Sequence, residues 1–411
     1  MINLLKQKII LCMLIMTVPA FSEKPYTLEN LTEIALQKSE LIQAKYLEWE
    51  SFDGTIRQSE TWQNPIFSGD VGSMVQGKET GYGYNLSLSQ PFYFPGKKNL
   101  RGEVQRSFKQ DVKLSLEETK RFVFRQVIFL SFAYKEAVHH ARHLEERYHR
   151  FKVIQQYLRS RPFASAQKMM EKMNVENRIL LLEKEILEVK NEKQTIWAQL
   201  NLYLDLDKPV EIQARWFNRG IELNLESLNA DLNKNPEFTG LEINLTRKNL
   251  QKTLSEKETL PDFSLSAIYS EDKTVFTERY IGGGITFYLP LWNRNQGAIS
   301  QYEKEIASLK AMQTFLSKKI KAELDTLLID YANKRELIKK YPVSLIEEMH
   351  KQAEYADQEF RKGRIEMMTY LEFDQSASEI HTAIYKSQLE YLESYLKILA
   401  ITGSMNFQEE K

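Results

Sequence analysis

Between residues 81 and 102 the chain reads "GYGYNLSLSQPFYFPGKKNLRG". Tyr82, Tyr84, Leu86 and Leu88 alternate there with Gly83, Asn85, Ser87 and Ser89, a period of two that makes one strand face apolar and the other small and polar. Pro91 and Pro95 then bracket three aromatics, and a basic run opens a helical pattern. The same alternation returns in Phe263, Leu265, Ala267 and Tyr269 against Ser264, Ser266, Ile268 and Ser270, and in Ile281, Gly283, Ile285, Phe287 and Leu289 against Gly282, Gly284, Thr286 and Tyr288. Each run is of a length that crosses a bilayer when tilted. A small soluble antiparallel sheet with one wet face would alternate in the same way.

The remaining pattern is helical, and it comes in two passes. Thr27 caps a predicted helix to about Trp62, and Asn64-Pro65 stops it. Strands are predicted near 66–75 and 81–90, then a long amphipathic helix from Gly96 to Ser160, a break at Arg161-Pro162, and a helix to about Tyr203. The second pass gives a helix ended by Pro261, strands near 262–270 and 280–289, a helix to Lys362, a break at Gly363, and a helix to Ile401. Pro65 to Pro261 is 196 residues and Pro91 to Pro290 is 199, so an internal duplication is expected. The expected layout is a first repeat over 23–204, a connector over 205–234, a second repeat over 235–403 and a tail over 404–411.

Helical patterns of about 65 residues imply rods of ~95 Å, which must protrude as hairpins or join a bundle. Four membrane strands cannot close a barrel alone, because open edges are not tolerated in lipid. Three chains with four strands each give twelve, an even number within the range known for barrels. Aromatics gather at the strand ends as at membrane interfaces: Tyr82, Tyr84, Phe92, Tyr93, Phe94, Tyr280, Tyr288 and Trp292.

Composition narrows the function. Lysine plus arginine (56) equals aspartate plus glutamate (56), so no net field draws the chain to nucleic acid. Lys6 and Lys8 precede the apolar run Ile9–Val18, followed by Ala20-Phe21-Ser22, which reads as a signal peptide over 1–22. The single cysteine, Cys12, would leave with it, so no thiol chemistry and no lipid anchor are expected in the mature chain. No catalytic motif appears, and Gly282-Gly283-Gly284 lies in a strand pattern, where glycine serves a bend or a close approach better than a nucleotide. No cofactor is expected.

The segments "YTLENLTEIALQKSELIQAKYLEWE", "WQNPIFS", "LSLSQPFYFPGKKNLR", "LPDFSLSA" and "FRKGRIEMMTYLEFDQSASEI" resemble the TolC family of outer-membrane efflux proteins over about 27–403. The junction at Ser89–Arg101 is similar to the cobalt–zinc–cadmium branch. The resemblance implies an α+β membrane protein: a homotrimer with a twelve-stranded β-barrel in outer-membrane lipid and a long periplasmic α-helical barrel. It implies a passive exit duct for heavy-metal cations, working with a periplasmic adaptor protein and an inner-membrane efflux pump. A drug-efflux or type I protein-secretion duct has the same sequence signature. A periplasmic coiled-coil adaptor is the reading from another class, and two hairpins with paired strands argue against it.

Two clusters carry candidate chemistry. In the family, acidic side chains ring the periplasmic aperture. Glu372 matches one such position by alignment to Gly363 and Thr369 matches the other, with Glu366 beside them. Arg361, Lys362 and Arg364 would pair with acidic groups to hold that gate, or meet the adaptor. His139, His140 and His143 form the only histidine cluster in the sequence, and His139 and His143, spaced i, i+4, could share a metal, with Glu136 and Glu145 on the same predicted helix. A solvated helix face explains them equally well.

Overall fold

The computed structural model describes residues 25–160, 165–224, 228 and 234–409. The predicted signal segment with Cys12 and the predicted Arg161-Pro162 break lie outside them. In chain order the elements are β1 (Tyr26–Thr27), α1 (Leu28–Lys38), α2 (Glu40–Ser59), β2 (Ile66–Gln76), β3 (Glu79–Phe92), α3 (Lys97–Arg159) and α4 (Ala166–Leu204). After them come β4 (Ile212–Gln213), α5 (Pro236–Glu258), β5 (Phe263–Lys273), β6 (Thr277–Phe287), α6 (Gln296–Lys340), α7 (Ser344–Arg361) and α8 (Met367–Ile401).

Thr27 does cap α1: its hydroxyl accepts from the Asn30 amide at 3.2 Å, and the Asn30 side chain answers the Thr27 amide. Two predicted helices are interrupted. The first has one non-helical residue, Ser39 (ψ 115°), between α1 and α2. The second, predicted to run to Lys362, stops at Lys340. Pro342 has no amide to continue the ladder and drives the preceding residue out of helical space, and Tyr341 sits at φ −123°, ψ 66°. The chain restarts three residues on as α7.

The four long strands form one antiparallel sheet in the order β2-β3-β5-β6. Its register settles which side chains share a face. Leu86 stands opposite Gly69 and Tyr269, and Leu88 opposite Phe67 and Ala267. Leu265 stands opposite Ile285, and Phe263 opposite Phe287. Phe67, Val71, Tyr84, Leu86, Leu88, Leu265, Ile285 and Phe287 therefore form one apolar face, while Ser68, Asn85, Ser87, Ser266, Gly284 and Thr286 form the other. The Ser68 and Ser87 hydroxyls bond across it at 2.7 Å. Among the described residues, β2 pairs only with β3 and β6 only with β5, so both outer strands present unpaired backbone.

The strand-to-helix hinge is tied across the two passes. Gly96 takes a left-handed φ of 93°, which turns the backbone from strand into α3. The buried Lys97 ammonium then donates to Asp262 at 2.8 Å and to the Leu260 carbonyl at 2.7 Å, and the Phe94 amide donates to the same Asp262 carboxylate at 2.7 Å. Asn295 makes the equivalent left-handed turn into α6 at φ 54°.

α3 runs 63 residues, ~95 Å, and pairs with α4 as a hairpin. Two apolar clusters lie along its length. One joins α1, α3, α4, α6 and α8 around Phe132, Phe217 and Tyr391, the other joins the α3–α4 pair to α7 and α8 around Phe151 and Tyr370. The predicted connector belongs to the first cluster. Phe217 is fully buried, and its backbone is held by the Gln388 side chain at 3.0 and 2.7 Å. None of the described helices is long and apolar enough to cross a membrane.

Candidate functional site

The sheet's apolar face meets no layer of the chain. Phe67 is 69% exposed, Val71 82%, Ile281 83% and Ile285 64%. A contiguous patch of this kind needs a covering phase, either lipid or another protein. Aromatics mark both ends of the strands. At the helical end Trp62 packs on Phe92 and stacks on Tyr93, with ring centroids 5.6 and 6.0 Å apart, and Phe92 stacks on Phe263 at 5.4 Å. Phe94 closes the same collar through its amide on Asp262. Lys98 and Arg101 lie over the Trp62 and Tyr93 rings. Tyr288 and Trp292 follow β6 and are strongly exposed. Toward the opposite hairpin, Tyr82 and Tyr84 are on the apolar face, but Tyr280 stands opposite Ser270 and so on the polar one. The period of two, counted from Ile281, requires this.

The far end of the helices holds the second half of the site. Phe151 packs against Tyr370 at 5.9 Å, and Phe151 is 54 residues beyond Lys97, so this end lies ~80 Å from the sheet. Gly363 turns the chain at φ 72°, its amide on the Phe360 carbonyl and the Arg364 amide on the Glu359 carbonyl. Glu366 is the residue just before α8, and Thr369 and Glu372, three apart on α8, share a face; all three are exposed. The neighbouring cations do not reach them. Arg361 pairs with Asp357 at 2.8 Å, and Lys362 and Arg364 both hold Glu359, at 2.8 and 3.0 Å. Those two charge-assisted bonds keep the Glu359 carboxyl below the usual carboxylate range.

A buried charge network binds this hairpin to α3, and sequence reasoning missed it. The Arg147 guanidinium, 1% exposed, meets the Asp374 carboxylate at 2.5 Å through Nη2 and at 3.2 Å through Nε, and its Nη1 donates to Ser378 Oγ at 2.5 Å. Arg150 stands 3.6 Å from the same carboxylate. Asp374 is within the quoted "EFDQSASEI" segment, but its partner is 227 residues away.

The histidines are arranged differently from their spacing. His139 stacks on Tyr385, with ring centroids 5.9 Å apart, and His140 faces Glu136 at 3.9 Å. Glu145 pairs with Lys190. His143 instead lies with His350 of α7 and His381 of α8, one ring nitrogen from each within 4.8 Å of the others. His139 therefore turns its ring to Tyr385, while the buried His143 ring lies between helices and not on a solvated face. Burial pushes His143 down to about 2 and His381 to about 3, so both imidazoles are neutral at neutral pH.

No protein-family model and no curated protein matches the sequence. The fold does match solved structures. A membrane protein from Pseudomonas aeruginosa superposes with a TM-score of 0.74 at 14% identity, covering 92% of this chain and 90% of that one. CusC, described for the changes that accompany transmembrane channel formation, gives 0.71 at 13% identity, with 92% of each chain covered. The Campylobacter jejuni CmeC outer membrane channel gives 0.69 at 15% identity over 93% and 87%. This chain therefore has the fold of outer-membrane channels.

Proposed function

We propose that the protein is the outer-membrane exit duct of a tripartite efflux system. One observation carries this reading: a four-stranded sheet with an uncovered apolar face and two edges unpaired among the described residues continues directly into helices of ~95 Å (α3) and ~68 Å (α6). In lipid, those edges are satisfied only by closure, and three copies related by rotation would give a twelve-stranded barrel. The helices of the three copies would then wall a periplasmic tunnel. Membership in the TolC family, the internal duplication with the repeat limits given above, the signal peptide, and the adaptor and inner-membrane pump as partners belong to the same reading. The protein would have no catalytic role, since the pump supplies the energy. The cargo we assign is heavy-metal cations, supported by the Ser89–Arg101 junction motif. Cells lacking the gene should lose tolerance to cobalt, zinc and cadmium. Lost tolerance to organic drugs alone would favour the drug-efflux reading.

Conductance of the purified protein in planar bilayers tests the duct itself: discrete trimer-sized channels are expected, and a silent, soluble protein would overturn it. The same recording tests the gate. Threefold symmetry would triple each charge at the far end, and a ring of Glu372 carboxylates, with Glu366 near it, attracts cations. Glu372→Ala should lower cation selectivity and weaken block by divalent metals, whereas Glu48→Ala on α2 should change neither. Unaltered selectivity in Glu372→Ala would make that carboxylate an ordinary solvated side chain.

A further inference from the structure

The three histidines that meet between α3, α7 and α8 remain unused by the duct reading. His143 is 8% exposed and His381 3%, and His350 is half-buried. Both ring nitrogens of His143, Nε2 of His350 and Nδ1 of His381 have no hydrogen-bond partner among the described residues. Buried polar atoms in folded proteins are nearly always paired, so four orphans in one place call for an explanation. The rings of His143 and His381 stack at 3.9 Å and 9°, and His350 approaches both at 5.7 and 6.0 Å.

A cavity of about 20 Å3 lies among them, with Arg150, Asp374 and Ser378 on its wall. That is room for one water molecule or one metal ion, since a water needs about 10–15 Å3. Each imidazole has one lone pair that a metal ion can take, so one ion can use all three rings. A single water serves three rings only when one of them turns its N–H toward the oxygen, and the titration below separates the two occupants. The nearby guanidiniums of Arg147 and Arg150 are both engaged by the Asp374 carboxylate, which limits their repulsion of a cation.

We propose that His143, His350 and His381 form a binding site for a first-row transition-metal cation of the zinc class, held between α3, α7 and α8. Imidazole nitrogen is the ligand such ions prefer, and three protein ligands leave one coordination position for water. One nitrogen from each ring lies within 4.8 Å of the others, close enough for a single ion to reach all three. His350 is 13 residues before Gly363, ~20 Å along α7, so a bound ion would fasten the hairpin carrying Glu366 and Glu372 to α3. The inference stands whether or not the chain is a duct.

Tag-free, chelator-treated protein in detergent, titrated calorimetrically with Zn2+, tests it. One Zn2+ per chain is expected, with Mg2+ giving no heat, and Co2+ should show the intense visible bands of a near-tetrahedral site. Loss of a residue behind a ligand costs up to about a hundredfold in affinity, so His350→Gln should weaken binding by at least about that factor. His381→Gln should do the same, and His139→Gln should leave it unchanged. Circular dichroism establishes that each variant keeps its helices. His350 is half-buried and the safer substitution should His381→Gln misfold. Absence of saturable Zn2+ binding in the parent, or parent-like binding in folded His350→Gln, overturns the site.

Discussion

Asp374→Ala is expected to free the α7–α8 hairpin from α3, the largest effect of any single substitution at that end. The change leaves the Arg147 guanidinium buried, with Arg150 beside it and the nearest other carboxylate, Glu185, 4.0 Å away. Removing one partner of a buried pair costs about 3–5 kcal/mol, because the remaining charge keeps its desolvation penalty without the attraction. At about 1.4 kcal/mol per factor of ten, amides of α8 near residues 367–381 should exchange with solvent two to three powers of ten faster. The measurement is hydrogen exchange with mass spectrometry on chelator-treated protein, which keeps it separate from metal binding. Ser378→Ala removes only one charge-assisted bond and should cost about 1.5–3 kcal/mol. The paired change Arg147→Met with Asp374→Leu should restore near-parental protection, since apolar replacement of both partners is often neutral. Parental exchange in Asp374→Ala would show that the network holds nothing.

The second large effect is on the sheet. Leu86 is midway along β3, on the apolar face between Gly69 and Tyr269, and Ser87 is the next residue, on the other face. An arginine near the bilayer midplane on the lipid side of a barrel costs about 2–4 kcal/mol, whereas lumen positions face water. Leu86→Arg should therefore lower unfolding stability in lipid by that amount. Ser87→Arg gives up one hydroxyl bond to Ser68, about 0.5–1.5 kcal/mol. Urea titration of the protein folded into lipid vesicles reads both. Equal losses would mean that the two faces do not see different phases.

Much of this architecture was legible because it rests on periodicity. Strands β2, β3, β5 and β6 and the long helices follow from periods of two and 3.6 and from Pro65, Gly96, Pro261 and Gly363, which act locally. Pro342 was a local signal too, and the apolar pattern on both sides of it obscured the break. The buried chemistry was not legible. Arg147 with Asp374, and His143 with His350 and His381, are joined only when the α7–α8 hairpin packs on α3, over separations of more than two hundred residues. His139 had the right spacing on one helix, but its ring faces Tyr385. The connector was equally hidden, because only tertiary packing shows that Phe217 is core and Gln388 its clasp.

The central claim is that the open sheet is one part of a shared barrel. Native mass spectrometry of detergent-extracted outer membranes tests it most directly. Three copies of the mature chain in one particle, recovered from the outer-membrane fraction, is the predicted result. A single chain recovered from the soluble periplasmic fraction would contradict it.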